Sequence, residues 1–168
     1  MIMEIKTLGD PVLREKCRQV EAVDDEVADL IEKMSETLRA SPGRVGLAAS
    51  QVGVLKKLFV YDLGFGNRCL INPEIIEIGN ETFCEEGCLS IPGIYISVKR
   101  YERVKVKSKT LSGHNIVIEA EGFLAQVLQH ECDHLEGVLI IDRCDPAERK
   151  RAMEEYQELS IRREQVTA

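Results

Sequence analysis

Val27, Leu30, Ile31, Met34 and Leu38 recur at intervals of three and four. That is the spacing of one helix face, and it predicts a helix from Asp24 or Asp25 to about Leu38. Upstream, Asp10-Pro11 predicts a short helical turn, with Asp as cap and Pro at the first position. The segment SPGRVG (41–46) ends the first helix and begins a loop. Runs rich in β-branched and aromatic residues, 58–62 (LFVYD), 69–71 and 74–78 (EIIEI), are bounded by Gly and Asn-Pro and predict strands. Residues 101–109 (YERVKVKSK) alternate polar and apolar, and 116–119 (IVIE) mirror them across LSGHN, which predicts a hairpin. A second helix is expected over 123–136, stopped by Gly137, and then a short strand, VLIID (138–142). Asp145-Pro146 caps a highly charged final helix to about Arg163. The pattern is α+β: mainly antiparallel strands packed around a central helix near position 130, with a C-terminal helix. No repeat, low-complexity tract or linker interrupts it, so residues 1–168 are expected to form one domain, with 145–168 its charged terminal helix.

Composition narrows the function classes. The 168 residues are 44% apolar and 30% charged, ordinary for a folded soluble protein. Lys and Arg total 22 against 29 acids, a formal charge of −7. That balance argues against broad nucleic-acid or anionic-membrane binding, because a net negative surface repels phosphates, and no sequence-specific nucleic-acid partner is expected. No uninterrupted 18-residue apolar stretch exists, so no membrane span is expected. No signal peptide is visible in MIMEIKTLGD, which with the lack of a span predicts a cytoplasmic protein. Six cysteines (Cys17, Cys69, Cys84, Cys88, Cys132, Cys144) are then expected as thiols, to be tested first as metal ligands or catalytic groups.

The chemistry concentrates in QHECDHLEG (129–137). His130 and His134 lie four apart, one helical turn, so both imidazoles leave the same face, with Glu131 beside them. This is the H-E-x-x-H pattern of two metal-binding histidines and a carboxylate close to the metal. On a helical wheel Ala125, Gln126, Gln129, Asp133 and Glu136 fill one polar arc. His130, Glu131 and His134 fall outside it, near Leu124, Val127, Leu128 and Leu135, so they are expected to point inward. Buried without partners, they would cost several kcal/mol, so something must satisfy them.

A catalytic site of this type has three protein ligands and one open position. Cys88, in the Gly-flanked segment EEGCLSIPG (85–93), is the better candidate for the third. Glu154, 20 residues past His134, is an alternative of the kind that a small metallopeptidase would use, but the terminal helix around it is charged nearly all round. Cys84 and Cys88 with both histidines would instead supply a closed Cys2His2 site that staples the fold. Glu131 has no place in such a site.

Three segments together resemble the peptide deformylase family: VGLAASQVG (45–53), EGCLS (86–90) and QHECDHL (129–135), in the family's order. The flanks LGDPVLR (8–14), INP (71–73), VKR (98–100) and GVLIIDR after the metal helix are also similar, so the resemblance covers roughly residues 4–145. It implies a single metallohydrolase domain that removes the formyl group from N-formyl-methionyl nascent polypeptides. It further implies Cys88, His130 and His134 as ligands of one divalent ion, typically Fe(II), with Ni, Co or Zn able to substitute. Glu131 would be the general acid/base, and the Gln51 side chain and the Leu89 backbone N–H would hold the developing oxyanion. Val45 and Gly46 would pair with an extended peptide, and Glu86, Gly87, Phe123 and Val127 would help form the pocket for its first side chain. The motif G-x-G-x-A-A-P-Q is broken twice, by Arg44 and by Ser50. Arg44 lacks glycine's access to positive φ, so a reshaped loop is expected there. Without proline's fixed φ, the approach to Gln51 is expected to be looser.

The remaining candidates have plainer readings. His114 sits in the hairpin turn and is expected in solvent. Cys17, Cys69, Cys84, Cys132 and Cys144 are expected to pack. Arg100 either orients a carboxylate such as Glu86 or is a surface charge. The terminal helix interleaves Arg149, Lys150, Arg151, Arg162 and Arg163 with acids; it is a solvated helix or, given the substrate, a contact to the ribosome.

Overall fold

The computed structural model describes residues 1–167. Helix α1 (Asp25–Arg39) forms where the apolar spacing demands it. Asp24 accepts a hydrogen bond from Val27 N–H at 3.0 Å, and Val27, Leu30, Ile31, Met34 and Leu38 are buried. The turn at Asp10-Pro11 is likewise present as a 3-10 turn, Pro11–Arg14.

Five strands follow: β1 (Gly46–Ala48), β2 (Leu58–Tyr61), β3 (Arg68–Cys88), β4 (Ile91–Lys109) and β5 (Asn115–Glu121). Each pairs antiparallel with the next, giving one sheet in chain order. The segments 69–71 and 74–78, expected as separate strands, are parts of β3. Asn72 between them adopts φ +52, and its side chain donates to Val20 O and accepts from Val20 N–H, each at 2.8 Å. Asn-Pro therefore bends the strand and shifts its register instead of ending it. The outer halves of β3 and β4 extend well beyond the expected hairpin. Ile94, Ile96, Val98 and Arg100 point inward while Tyr95, Ser97 and Lys99 face solvent, the period-2 pattern of a half-buried strand. Cys88 consequently closes β3 at a two-residue turn, Leu89–Ser90, and does not lie in an open loop.

Helix α2 (Gly122–Leu135) follows β5 directly. The expected strand VLIID is instead a 3-10 turn, Ile140–Asp142. The Asp142 carboxylate accepts the Leu139 N–H at 2.9 Å, curling the segment before it could pair with a strand. Leu139, Ile140 and Ile141 are buried all the same. Helix α3 (Pro146–Thr167) is opened by Asp145, whose carboxylate accepts Ala147 N–H at 2.8 Å.

Three apolar clusters organise these elements. α1 packs on β1 and β2. Ala125, Val127, Leu128 and Leu135 of α2 pack under β2, β4 and β5. The third cluster joins Cys88, Ile91, Ile94, Ile96 and Val98 at the β3–β4 tip to Leu139, Ile140, Ile141 and Ala152 of α3. The histidine-bearing helix belongs to the second cluster and Cys88 to the third. The site lies where the two meet.

Candidate active site and metal centre

His130 and His134 face the tip of the β3–β4 hairpin from α2. Cys88 Sγ lies 3.4 Å from His134 Nε2, which lies 3.3 Å from His130 Nε2. The three ligand atoms fall within 4.8 Å of one another. Among the described residues no other group of three His, Cys, Asp or Glu side chains converges in this way. Glu154 is exposed on α3, and Cys84 sits on β3 opposite Val98, outside the group. Of the readings open from sequence alone, only the Cys88 set is assembled.

The surroundings suit a cation. Burial alone would lower the His130 imidazole, but its contacts with Cys88 and Glu86 outweigh burial and hold it well above its ordinary range. His134 is pushed well below its ordinary value, by burial first and then by His130 and Arg100. That direction favours the neutral ring, the form that ligates metals. A sulfur and two buried carboxylates around the triangle thus favour positive charge between them.

Glu131 lies beside the triangle and is almost completely buried. Its Oε2 has no hydrogen-bond partner. Burial, reinforced by the Glu86 charge, pushes its carboxyl up to about 7. Its close neighbour is β1: a Cβ on Gly46 would stand 2.5 Å from Glu131 Oε1, so the strand approaches this carboxylate only because residue 46 has no side chain. The neighbouring Gly43, at φ +83, takes the left-handed position in the loop. Arg44 is not forced into it, and donates from Nη1 to Thr37 O at 2.7 Å. Gln51, buried in the 3-10 turn Ala49–Val52, holds its amide near the triangle, with Nε2 3.9 Å from Cys88 Sγ. Ser50 Oγ donates to His134 O at 3.3 Å, tying that turn to the end of α2.

Behind His130 runs a chain of buried charge. Glu86 Oε1 lies 2.8 Å from His130 Nδ1, and Arg100 donates to both Glu86 oxygens at 2.8 and 2.9 Å. Arg100 also donates to Asp133 at 2.6 Å, and Asp133 pairs with Arg143. Burial would raise the Glu86 carboxyl, but the hydrogen bonds from Arg100 and His130 outweigh it and hold it at about 2. Of the two readings of Arg100, the buried one is correct. The polar arc expected on α2 is not a solvent face: Ala125 and Gln129 are buried, and Gln129 accepts the Tyr101 N–H and donates to Tyr101 O, both at 2.8 Å.

Val45, Gly46, Gln51, Glu86, Gly87, Cys88, Leu89, Phe123, Val127, His130 and Glu131 all line one cleft of about 590 Å³; His134 is buried beneath it. Phe123 is 56% exposed at the rim, whereas Val127 is buried. The Glu86 carboxylate, although it lines the cleft, is engaged with Arg100 and His130. Sequence reasoning missed Ser90, Asp133 and Arg143. A hint was present for Ser90, which follows Leu89 in EGCLS, and for Asp133, which precedes His134 in QHECDHL.

The family model described as polypeptide deformylase matches residues 2–150. Peptide deformylase 1 of Clostridium perfringens is 49% identical over 143 residues, covering 84% of this chain and 97% of that protein. The solved peptide deformylase of Legionella pneumophila superposes with a TM-score of 0.91 at 38% identity, over 97% of this chain and 98% of that one. The enzyme of Synechococcus elongatus, solved in complex with actinonin, gives 0.87 at 42% identity, over 92% of this chain and 86% of that one. The family model and these relatives each span most of the chain, and the chain belongs to the polypeptide deformylase family.

Proposed function

We propose that the metal-dependent hydrolysis this enzyme carries out, removal of the N-formyl group from N-formyl-methionyl polypeptides with release of formate, runs in the cleft between α2 and the β3–β4 tip. Cys88, His130 and His134 would hold one divalent cation. A sulfur with two imidazoles suits Fe(II), with Ni, Co or Zn as substitutes. When bound there, such an ion makes water acidic enough to supply hydroxide near neutral pH.

The chain's own residues do the rest. Glu131 takes the proton from the attacking water and delivers it to the departing amine; a carboxyl raised to about 7 can both accept and return it. The Gln51 amide and the Leu89 N–H donate to the formyl oxygen as it gains charge, and losing one such donor costs about 10² to 10³ in rate. Glu86, held ionised by Arg100, accepts from His130 Nδ1 and so would leave Nε2 available to the cation. Val45 and Gly46 offer main chain to the extended peptide, while Gly87, Phe123 and Val127 shape the space for the methionyl side chain.

The observation that carries this reading is the unpartnered Glu131 oxygen beside three converging ligand atoms. It is tested by loading the protein anaerobically with iron and measuring formate from formyl-Met-Ala-Ser. Glu131→Gln should keep its metal and lose about 10² to 10⁴ in kcat, while Cys88→Ala should lose the metal. A Cys88→Ala protein with full metal and full activity overturns the assignment.

Residues 1–168 are read as one metallohydrolase domain, since the three clusters share one sheet. No helix among the described residues is long and apolar enough to cross a membrane. The free thiols support a cytoplasmic setting. The alternative reading of α3, a contact to the ribosome, finds Arg149 paired with Asp142 and Arg151 with Glu148 and Glu155, so the proposal stops at the peptide.

A further inference from the structure

Gln51 is anchored at both ends of its amide. Oε1 accepts the Ala48 N–H at 2.9 Å, and because a backbone N–H can only donate, this identifies the oxygen end. Nε2 therefore carries two hydrogens. One is committed to Ser90 Oγ at 3.0 Å, inside a fully buried pocket of the turn. The two N–H bonds of an amide diverge in one plane, so fixing the first aims the second, and Nε2 stands 3.9 Å from Cys88 Sγ at the edge of the ligand triangle.

Ser90 is itself held in place. Leu8 N–H donates to Ser90 O at 2.8 Å and Lys6 N–H to Gln51 O at 2.7 Å, so the N-terminal segment straps both backbones at once. This matters more here because Ser50, next to Gln51, lacks the fixed φ that proline would supply. With less stiffness in the turn, the direction of the amide depends on its hydrogen bonds.

We propose that Ser90 is a positioning residue for the deformylase reaction, its hydroxyl aiming the second Gln51 N–H, which here faces Cys88 Sγ, at the formyl oxygen in the transition state. The inference rests on the reading of Gln51 as an oxyanion donor. Ser90 touches neither substrate nor metal in this role; it acts through Gln51.

The test is a double-mutant cycle on iron-loaded protein with formyl-Met-Ala-Ser, reading kcat, KM and metal content separately. Ser90→Ala should lower kcat about tenfold, the effect of a modest misplacement of a reacting group, with KM and metal content within about twofold of the parent. Gln51→Ala should lower kcat by about 10² to 10³. Adding Ser90→Ala to it should cost nothing more, since there is no amide left to aim. If Ser90→Ala fails to fold, Ser90→Cys, similar in size and a poor acceptor, is read by the same rules. An unchanged kcat in the single variant, or an equal loss in the Gln51→Ala background, overturns the role of Ser90. If Gln51→Ala alone leaves kcat intact, the oxyanion reading falls first and takes this inference with it.

Discussion

Helices α2 and α3 are both rich in polar side chains, and they place them oppositely. In α2, Gln129, Glu131 and His134 are buried, and each is tied to the main chain or the site: Gln129 to Tyr101, His134 to Cys88, Glu131 to the cleft. In α3, Arg151 reaches Glu148 and Glu155 across the helix surface, and Ala152 is buried with Tyr156 and Leu159 partly covered. The same residue types thus mean different things. A buried polar group must have a partner or a task, because leaving it without one costs free energy; an exposed one has water.

That contrast can be broken at its strongest point by Arg100→Met. It leaves Glu86 and Asp133 without their shared cation and should cost about 3 to 5 kcal/mol of stability. Denaturant unfolding of the metal-loaded variant measures it, and a loss under about 1 kcal/mol would mean that His130 and Arg143 suffice as partners. Asp142, between the two helices, should show an intermediate effect. Burial would raise its carboxyl, but the hydrogen bonds from Arg14, Leu139 N–H and Arg149 outweigh this and hold it below the ordinary range. Its contribution is therefore present above the unfolded carboxyl pKa and lost as pH falls through the folded one. Asp142→Asn should accordingly flatten the acid side of a stability-against-pH curve. The smallest effect belongs to Glu154→Ala on α3, expected to stay within about 0.5 kcal/mol of the parent with unchanged metal content and formate release. Metal loss there would revive the carboxylate-ligand reading.

The same contrast explains what was legible in the sequence. α1, the β4–β5 hairpin and the placement of His130 and His134 followed from periodicity, because apolar spacing alone decides which face turns inward. Gln129 and Asp133 defeated that logic. Periodicity assigns polar residues to water and cannot see that Tyr101 and Arg100 wait on β4 to receive them. VLIID failed for a local reason, an Asp142 carboxylate turning back on Leu139, which a short apolar run does not reveal. The outer hairpin carried its signal in Ile94, Ile96 and Val98, but Gly87, Pro92 and Gly93 spoke for a loop. Those residues belong to a strand pair with an irregular tip: Gly87 pairs with Tyr95, Cys88 with Ile91, and Gly93 sits at φ +84.

The Leu89–Ser90 turn has a consequence for the length of the chain. Every side chain of β4 owes its face to the count of residues through that tip, because alternation has a period of two. Inserting a single residue there would send Ile94, Ile96, Val98 and Arg100 outward and bring Tyr95, Ser97 and Lys99 in. The sheet would lose its apolar lining and His130 its charged support in one step. At the 111–114 turn, where all four residues are exposed, added length would meet only solvent. Two turns on one sheet therefore have opposite tolerances for insertion. The intolerant one is where Cys88, Leu89 and Ser90 stand in succession.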